Sequence, residues 1–184
     1  MLRQPSSPKT LSGGFSLARF PLLEIDRKPI DPLLLRGFAL DWNSDLTLIQ
    51  ILNCDLFQLD GYAIIRNSDV KRWRCVPKSD FLARAVRLRK QRPFKPRAVT
   101  IGSMKAALAS AGAVFPLITV HRERISKQVC YVGKFLRANQ RSVTIRAISP
   151  QAEWEEEESY SVREITLLEF GGVYERLLQQ MATR

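Results

Sequence analysis

Alternation of apolar and polar positions runs through much of the chain. Leu46–Leu52 reads Leu-Thr-Leu-Ile-Gln-Ile-Leu, Val70–Cys75 reads Val-Lys-Arg-Trp-Arg-Cys, and Val143–Ile148 alternates again. A two-residue period belongs to half-buried strands. Apolar pieces at Leu33–Leu40, Leu56–Leu59 and Gly61–Arg66 extend the first train of strands. Asp41–Asp45, Asn53–Asp55, Asp60-Gly61 and Asn67-Ser68 separate them with turn-forming residues. Short strands at this spacing predict a small antiparallel barrel or sandwich. Phe20–Ile25 is a further apolar run whose form the pattern leaves open.

The period then lengthens. From Asp80 to about Gln91, Phe81, Leu82, Ala85 and Leu88 fall on one helical side, and Arg84, Arg87 and Lys90 recur every three residues on another. Ser79 is the expected cap, and Pro93 and Pro96 end the segment. A second helix is expected over Ser103–Ala111, with Ser103 as its cap and Gly112 as a left-handed exit. Strands return at Leu117–His121, Gln128–Arg137 and Val143–Ile148. The run Glu155–Glu158 reads as a hairpin tip before Tyr160–Val162 and Ile165–Phe170. Gly171-Gly172 then turns into a terminal helix, whose stripe of Val173, Tyr174, Leu177, Leu178 and Met181 is expected to pack on the protein itself.

The two trains of strands echo each other. Gly37, a polar turn, Leu46, Tyr62 and Val70 correspond to Gly133, Ala138–Gln140, Val143, Tyr160 and Ile165. Gly37 and Tyr62 are 25 residues apart, and Gly133 and Tyr160 are 27 apart. Two motifs sit on this echo. The first is Gly37-Phe-Ala-Leu-Asp41-Trp-Asn43-Ser-Asp-Leu46, with Gly133-Lys-Phe-Leu-Arg-Ala-Asn139-Gln-Arg-Ser-Val143 as its counterpart. The second is Asp60-Gly61-Tyr-Ala-Ile-Ile-Arg66-Asn67-Ser-Asp-Val70, which Tyr160-Ser-Val-Arg163-Glu-Ile165 matches more weakly.

On these residues each half resembles the Sm and Sm-like proteins. The resemblance implies a five-stranded, strongly bent barrel in each half. It also implies that Asp41, Asn43 and Arg66 occupy places comparable to that family's uridine-binding residues. The second half lacks a matching Asp and an Arg-Gly pair, and Asn67 stands where the first half would need that glycine. The expected fold is mainly β with short helices: two small Sm-like antiparallel β-barrels joined by a basic helical connector. The boundaries are a tail at 1–19, a first barrel at 20–77, the connector at 78–98, and a second barrel at 99–184 with leading and C-terminal helices.

Charge turns this fold toward a surface. The formal net charge is +11, and residues 66–97 alone carry 12 basic and 2 acidic groups. Residues 121–146 add 7 basic against 1 acidic, whereas residues 147–184 carry 8 acidic and 3 basic groups. Such clustering builds a positive potential suited to phosphate polymers or acidic protein surfaces. The candidate nucleic-acid-binding residues are Arg66, Lys71, Arg72, Arg74, Arg84, Arg87, Arg89, Lys90, Arg92, Lys95 and Arg97. Trp73 lies among them as a core residue or a stacking platform. The alternatives are an acidic protein partner on the same face, or a basic linker packed against Glu155–Glu158 within the molecule.

Other chemistry has little material. One histidine and three separated cysteines (Cys54, Cys75, Cys130) argue against a disulfide framework and against His-based catalysis. His121 with Glu123 is the nearest approach to an acid–base pair, and the glutamates of 153–158 the nearest to a cation site. No catalytic residue, metal or cofactor is expected. The longest apolar stretch, near Ala113–Val120, is far below the roughly 20 residues that span a bilayer, so a cytoplasmic protein without membrane contact is expected. The reading is a non-enzymatic module that binds RNA, ahead of DNA.

Overall fold

The computed structural model of the chain describes residues 20–182; the predicted tail at 1–19 lies outside the described residues. Ten strands and three helices form in chain order. The first half holds β1 (Leu22–Asp26), β2 (Leu34–Trp42), β3 (Leu46–Asn53), β4 (Gln58–Arg66) and β5 (Arg72–Cys75), then α1 (Phe81–Leu88). The second half opens with α2 (Met104–Val114). It continues through β6 (Ile118–His121), β7 (Cys130–Ala138), β8 (Ser142–Ile148), β9 (Trp154–Ser161) and β10 (Leu167–Phe170) to α3 (Val173–Ala182).

All ten strands join one antiparallel sheet in the order β5-β1-β2-β3-β4-β10-β6-β7-β8-β9. It does not close into a barrel, which corrects the expectation of two separate barrels. The halves meet where β10 pairs with β4, at Leu167 with Ile65, Leu168 with Ile64, Glu169 with Ala63 and Phe170 with Tyr62. Each half nevertheless repeats one order, its last strand beside its first.

The repetition reaches individual residues. Register shifts fall between Ala39 and Asp41 in β2 and between Phe135 and Arg137 in β7. A second matching pair falls between Gln50 and Leu52 and between Arg146 and Ile148. The β2–β3 turn is held by Asn43 Oδ1, which accepts from Asp45 N and Leu46 N; Asn139 Oδ1 accepts from Arg141 N and Ser142 N. A Cβ on Gly37 would stand 2.3 Å from Gln50 O, and one on Gly133 would stand 2.4 Å from Arg146 O. Only glycine allows the neighbouring strand to approach so closely. The echo is therefore structural, but its register differs from the expected one. With Asn43 matched to Asn139, Val143 is the counterpart of Thr47, not Leu46; Thr47 pairs with Ile65 and Val143 with Tyr160, so Tyr160 corresponds to Ile65, not Tyr62.

The core follows from the way the halves join. Leu23, Ile25, Ala39, Ile49, Ala63 and Ile65 fill the interior of the first half, and Leu167 of β10 joins them. The opposite face of the first half, through Leu46, Leu48 and Ile64, packs with Met104, Leu108 and Ala111 of α2. Ile118, Val120, Ile145, Tyr160 and Leu168 complete that cluster. The inner face of the second half is thus continuous with the outer face of the first.

Several local expectations change. Leu56–Leu59 and Gly61–Arg66 do not form two strands; their residues from Gln58 onward make the single strand β4. Asp80, not Ser79, caps α1 by accepting from Leu82 N. That helix buries Val86 and leaves Phe81 and Leu88 exposed. Gly112 lies inside α2 and not at its exit; its missing Cβ makes room for Phe135, whose own Cβ would be 2.2 Å away. Glu155–Glu158 belong to β9 itself. On α3, Glu175 and Leu178 are the buried positions, whereas Val173, Tyr174, Leu177 and Met181 face outward. Among the described residues no helix is long and apolar enough to cross a membrane.

Candidate nucleic-acid interface

The expected basic segment begins at the edge of the sheet and continues along α1 into the proline-containing stretch behind it. Lys71, Arg72 and Arg74 are exposed at or beside β5, the terminal strand. Trp73 and Cys75 turn inward and pack against the first-half core, so Trp73 offers no stacking platform. Partial burial also pushes the Cys75 thiol up, opposite to the shift of an activated nucleophile.

Arg84, Arg87, Arg89 and Lys90 project from α1 and its C-terminal turn, and Arg92 and Arg97 follow, all exposed. The Cα geometry that sets α1's outward face is simple: Leu82, Ala83 and Val86 hold the helix over Leu22, Leu52 and Val76. Phe81, Arg84, Arg87 and Leu88, two of them cationic, face water.

These cations differ in what they already bind. Arg74 Nε donates to Glu24 at 2.6 Å, and Arg72 lies 4.0 Å from Asp26. Lys95 Nζ donates to Asp41 at 2.6 Å. Arg87 Nη2 donates to the Lys78 carbonyl at 2.9 Å. Among the described residues, Lys71, Arg84, Arg87, Arg89, Lys90, Arg92 and Arg97 have no carboxylate within ion-pair distance. The acidic run on β9 sits at the opposite end of the sheet from β5. The alternative in which basic segment and acidic run pack together inside the molecule is thereby corrected.

Arg66 does not belong to this surface. Its Nε donates to Ile165 O and its Nη2 to Val162 O, both at 2.7 Å, so it ties the first half to the second. Asp41 and Asn43, the other positions the resemblance singled out, are also engaged. Asp41 holds Lys95. Asn43 organises its turn and donates through Nδ2 to Ile101 O at 2.6 Å. A cavity of about 350 Å³ lies beside them, lined by Asp45, Arg66, Ser103, Lys105, Gln140 and Arg163 among others. Asp41, Asn43 and Arg66 thus all bond to the protein itself.

Sequence reading missed the polar contacts that join the halves. Arg27 Nη1 donates to Glu123 Oε1 at 3.1 Å, and its Nη2 also donates to this carboxylate. Thr166 Oγ1 donates to Glu123 Oε2 at 2.7 Å. Arg124 pairs with Asp69. Arg27 and Glu123 follow β1 and β6, the corresponding strands of the two halves. The only available signal was a charge just beyond an apolar strand, which is also what a surface turn looks like. His121 and Glu123 do not act together: His121 Nε2 lies 2.8 Å from Glu169, while Glu123 faces Arg27. Among the described residues no group of three or more His, Cys, Asp or Glu side chains is placed to hold a metal ion. In comparisons with known proteins, no family model, curated protein or solved structure matches the chain.

Proposed function

We propose that the chain is a non-enzymatic RNA-binding module built from two degenerate Sm-like halves. Its contact surface is the β5 edge, α1 and the stretch to Arg97. One observation carries this reading: seven exposed cations there lack a carboxylate partner among the described residues. Cations without protein partners are held by water and counterions, which a phosphate backbone displaces with a gain in entropy. Trp73, Asp41, Asn43 and Arg66 are committed to the fold and are not offered to a base. Binding is therefore to backbone phosphates with weak sequence preference.

The test is fluorescence anisotropy with short labelled single-stranded RNA. Each phosphate neutralised on a single strand contributes about −0.7 to the slope of log affinity against log salt. Seven contacts set the limit near −5, so raising salt from about 50 to about 200 mM weakens binding by up to roughly 1,000-fold. Arg84→Glu, Arg87→Glu and Lys90→Glu together should abolish binding, while Arg66→Lys, measured on folded protein, should leave affinity unchanged. Absence of binding at low salt, or full affinity in the triple variant, overturns the proposal. The same face would then be pursued as a site for an acidic protein.

A further inference from the structure

The duplication extends to the helix that follows each fifth strand. β5 is the first-half counterpart of β10, because Arg72 pairs with Asp26 of β1 as Leu167 pairs with His121 of β6. Beyond them, α1 lies over Leu22 and Leu52 through Leu82 and Val86, and α3 lies over Leu117 and Ile148 through Leu178. The two helices fill one structural place, and packing on the sheet specifies only their inner sides. Their outer sides differ in charge. Within α3 Arg176 is the one cation, whereas α1 carries Arg84 and Arg87 and is followed at once by Arg89 and Lys90. From residue 71 to residue 97 the one acid is Asp80, whose carboxylate is engaged in capping α1.

Among these cations stand apolar side chains that belong to none of the buried clusters. Phe81 is 68% exposed, Leu88 84%, and Leu56, in the β3–β4 turn, 57%. Phe81 and Leu88 are seven residues apart, which returns them to one side of the helix, with Arg84 between them. Phe57 braces the Phe81 ring edge-on, with centroids 5.5 Å apart, and carries the patch onto the turn that holds Leu56. A phosphate backbone has no use for these residues, and an aliphatic chain such as Leu88 gives a base no face to stack on. A protein partner takes its apolar anchors into pockets. Here the side chains stand proud near a helix end, where Lys90 turns the chain away with φ 53°. A fluid acyl boundary accepts protruding side chains of any shape, while the long cations beside them reach headgroup phosphates.

We propose that this face docks on an anionic lipid surface. Phe81 and Leu88, with Leu56 beside them, enter the acyl boundary, and Arg84, Arg87, Arg89 and Lys90 hold the headgroup phosphates. The expected absence of membrane contact rests on spanning length, which lying on a bilayer does not require; the lack of a membrane-crossing helix among the described residues is compatible with it. This docking goes beyond the RNA reading and stands without it. The cations serve either polyanion, so RNA and lipid exclude each other here, whereas the apolar side chains serve lipid alone. Each cation near an anionic surface strengthens partitioning about fivefold, and burial of Phe81 or of Leu88 adds roughly tenfold or more. Stable attachment takes both signals together.

The test is co-sedimentation of nuclease-treated full-length protein with vesicles of phosphatidylcholine, alone or with about 30% phosphatidylglycerol. At about 100 mM salt the wild type should bind the anionic vesicles roughly tenfold or more tightly than the neutral ones, and about 500 mM salt should weaken that binding. The double variant Phe81→Ser, Leu88→Ser keeps every cation and alters only exposed side chains; at an unchanged melting temperature it should bind vesicles roughly 100-fold more weakly and RNA as wild type does. Leu88→Trp should bind vesicles at least as well as wild type, and lipids brominated in the acyl chain should quench its added emission. A wild type that binds vesicles and not RNA supports this docking and refutes the RNA reading alone. Absence of binding to anionic vesicles overturns the proposal whatever RNA does, as does full vesicle binding by the double variant or a Leu88→Trp emission that acyl bromine does not quench. A folded double variant that loses RNA and vesicles alike would assign Phe81 and Leu88 to the RNA surface and overturn it too.

Discussion

Truncating Arg27 to alanine should destabilise the protein by about 3–5 kcal/mol, the usual cost of leaving one member of a buried ion pair alone. The structure places this site in that class. Arg27 is 1% exposed and Glu123 7%, and both carboxylate oxygens accept from the guanidinium. Without Arg27, the Glu123 charge would keep Thr166 Oγ1 as its hydrogen-bond donor at 2.7 Å and no cation. The loss is a fifth or more of the roughly 5–15 kcal/mol of an ordinary domain. At about 2–4 °C per kcal/mol for a chain of this size, the melting temperature should fall by roughly 6–20 °C. Arg27→Met combined with Glu123→Leu removes both charges and keeps the volume, and Thr166 Oγ1 retains the His121 carbonyl at 3.2 Å as acceptor. That double variant should lie within about 1 kcal/mol of wild type or above it. Urea unfolding of wild type, Arg27→Ala, Glu123→Ala and the apolar double variant measures each term. Truncations costing under about 1 kcal/mol, or an apolar double variant as damaged as their sum, would refute the reasoning.

Two further perturbations test other joints of the structure. Gly112→Ala gains roughly 1 kcal/mol of helix propensity but drives a methyl into Phe135, so it should lower thermal stability, and Gly112→Ala with Phe135→Ala should recover part of the loss; a single variant more stable than wild type would contradict the packing. Glu24 is buried, which by itself would raise its pKa, but hydrogen bonds from Arg36 and Arg74 outweigh this and hold the carboxyl below its ordinary 4.5. With the folded value depressed, its stabilisation is full above 4.5 and disappears as pH falls through the folded value. Acid unfolding of Glu24→Gln should therefore lack that part of the wild-type loss, and identical pH profiles would show that the arginines do not hold Glu24 in its charged form.

Strand positions were legible because one period governs them: Leu46–Leu52 and Val143–Ile148 fall on strands, Arg72–Cys75 of the stretch Val70–Cys75 forms β5, and Ser103 caps α2 as its side chain chemistry requires. The sheet's continuity was not legible. A strand buried on both faces and a strand at an edge differ by what lies beside them, and Leu167–Phe170 gives no local sign that it joins Tyr62–Ile65 a hundred residues earlier. The basic side chains along α1 are exposed, whereas Arg66 is held by backbone oxygens of the second half; a guanidinium donating to two carbonyls and one facing solvent have the same sequence signature.

The same ambiguity explains why the duplication is faint in the sequence and plain in the structure. Backbone constraints recur at fixed places: Gly37 and Gly133 where a strand crowds in, and Asn43 and Asn139 where a turn needs an acceptor. Side chains between them have diverged according to what each copy touches. Ala63 lies in the apolar interior of the first half, and its counterpart Glu158 lies on an open edge; Leu167 enters that interior, and its counterpart Arg72 stands in solvent. Residues at the internal junction are apolar because that junction is permanent, and their counterparts at the ends are charged because those side chains meet water. Similarity of side chains thus records shared surroundings, while glycines, caps and bulges record shared backbone. In this chain the second kind of evidence gives the register, and the differences of the first kind mark the surfaces left free to bind.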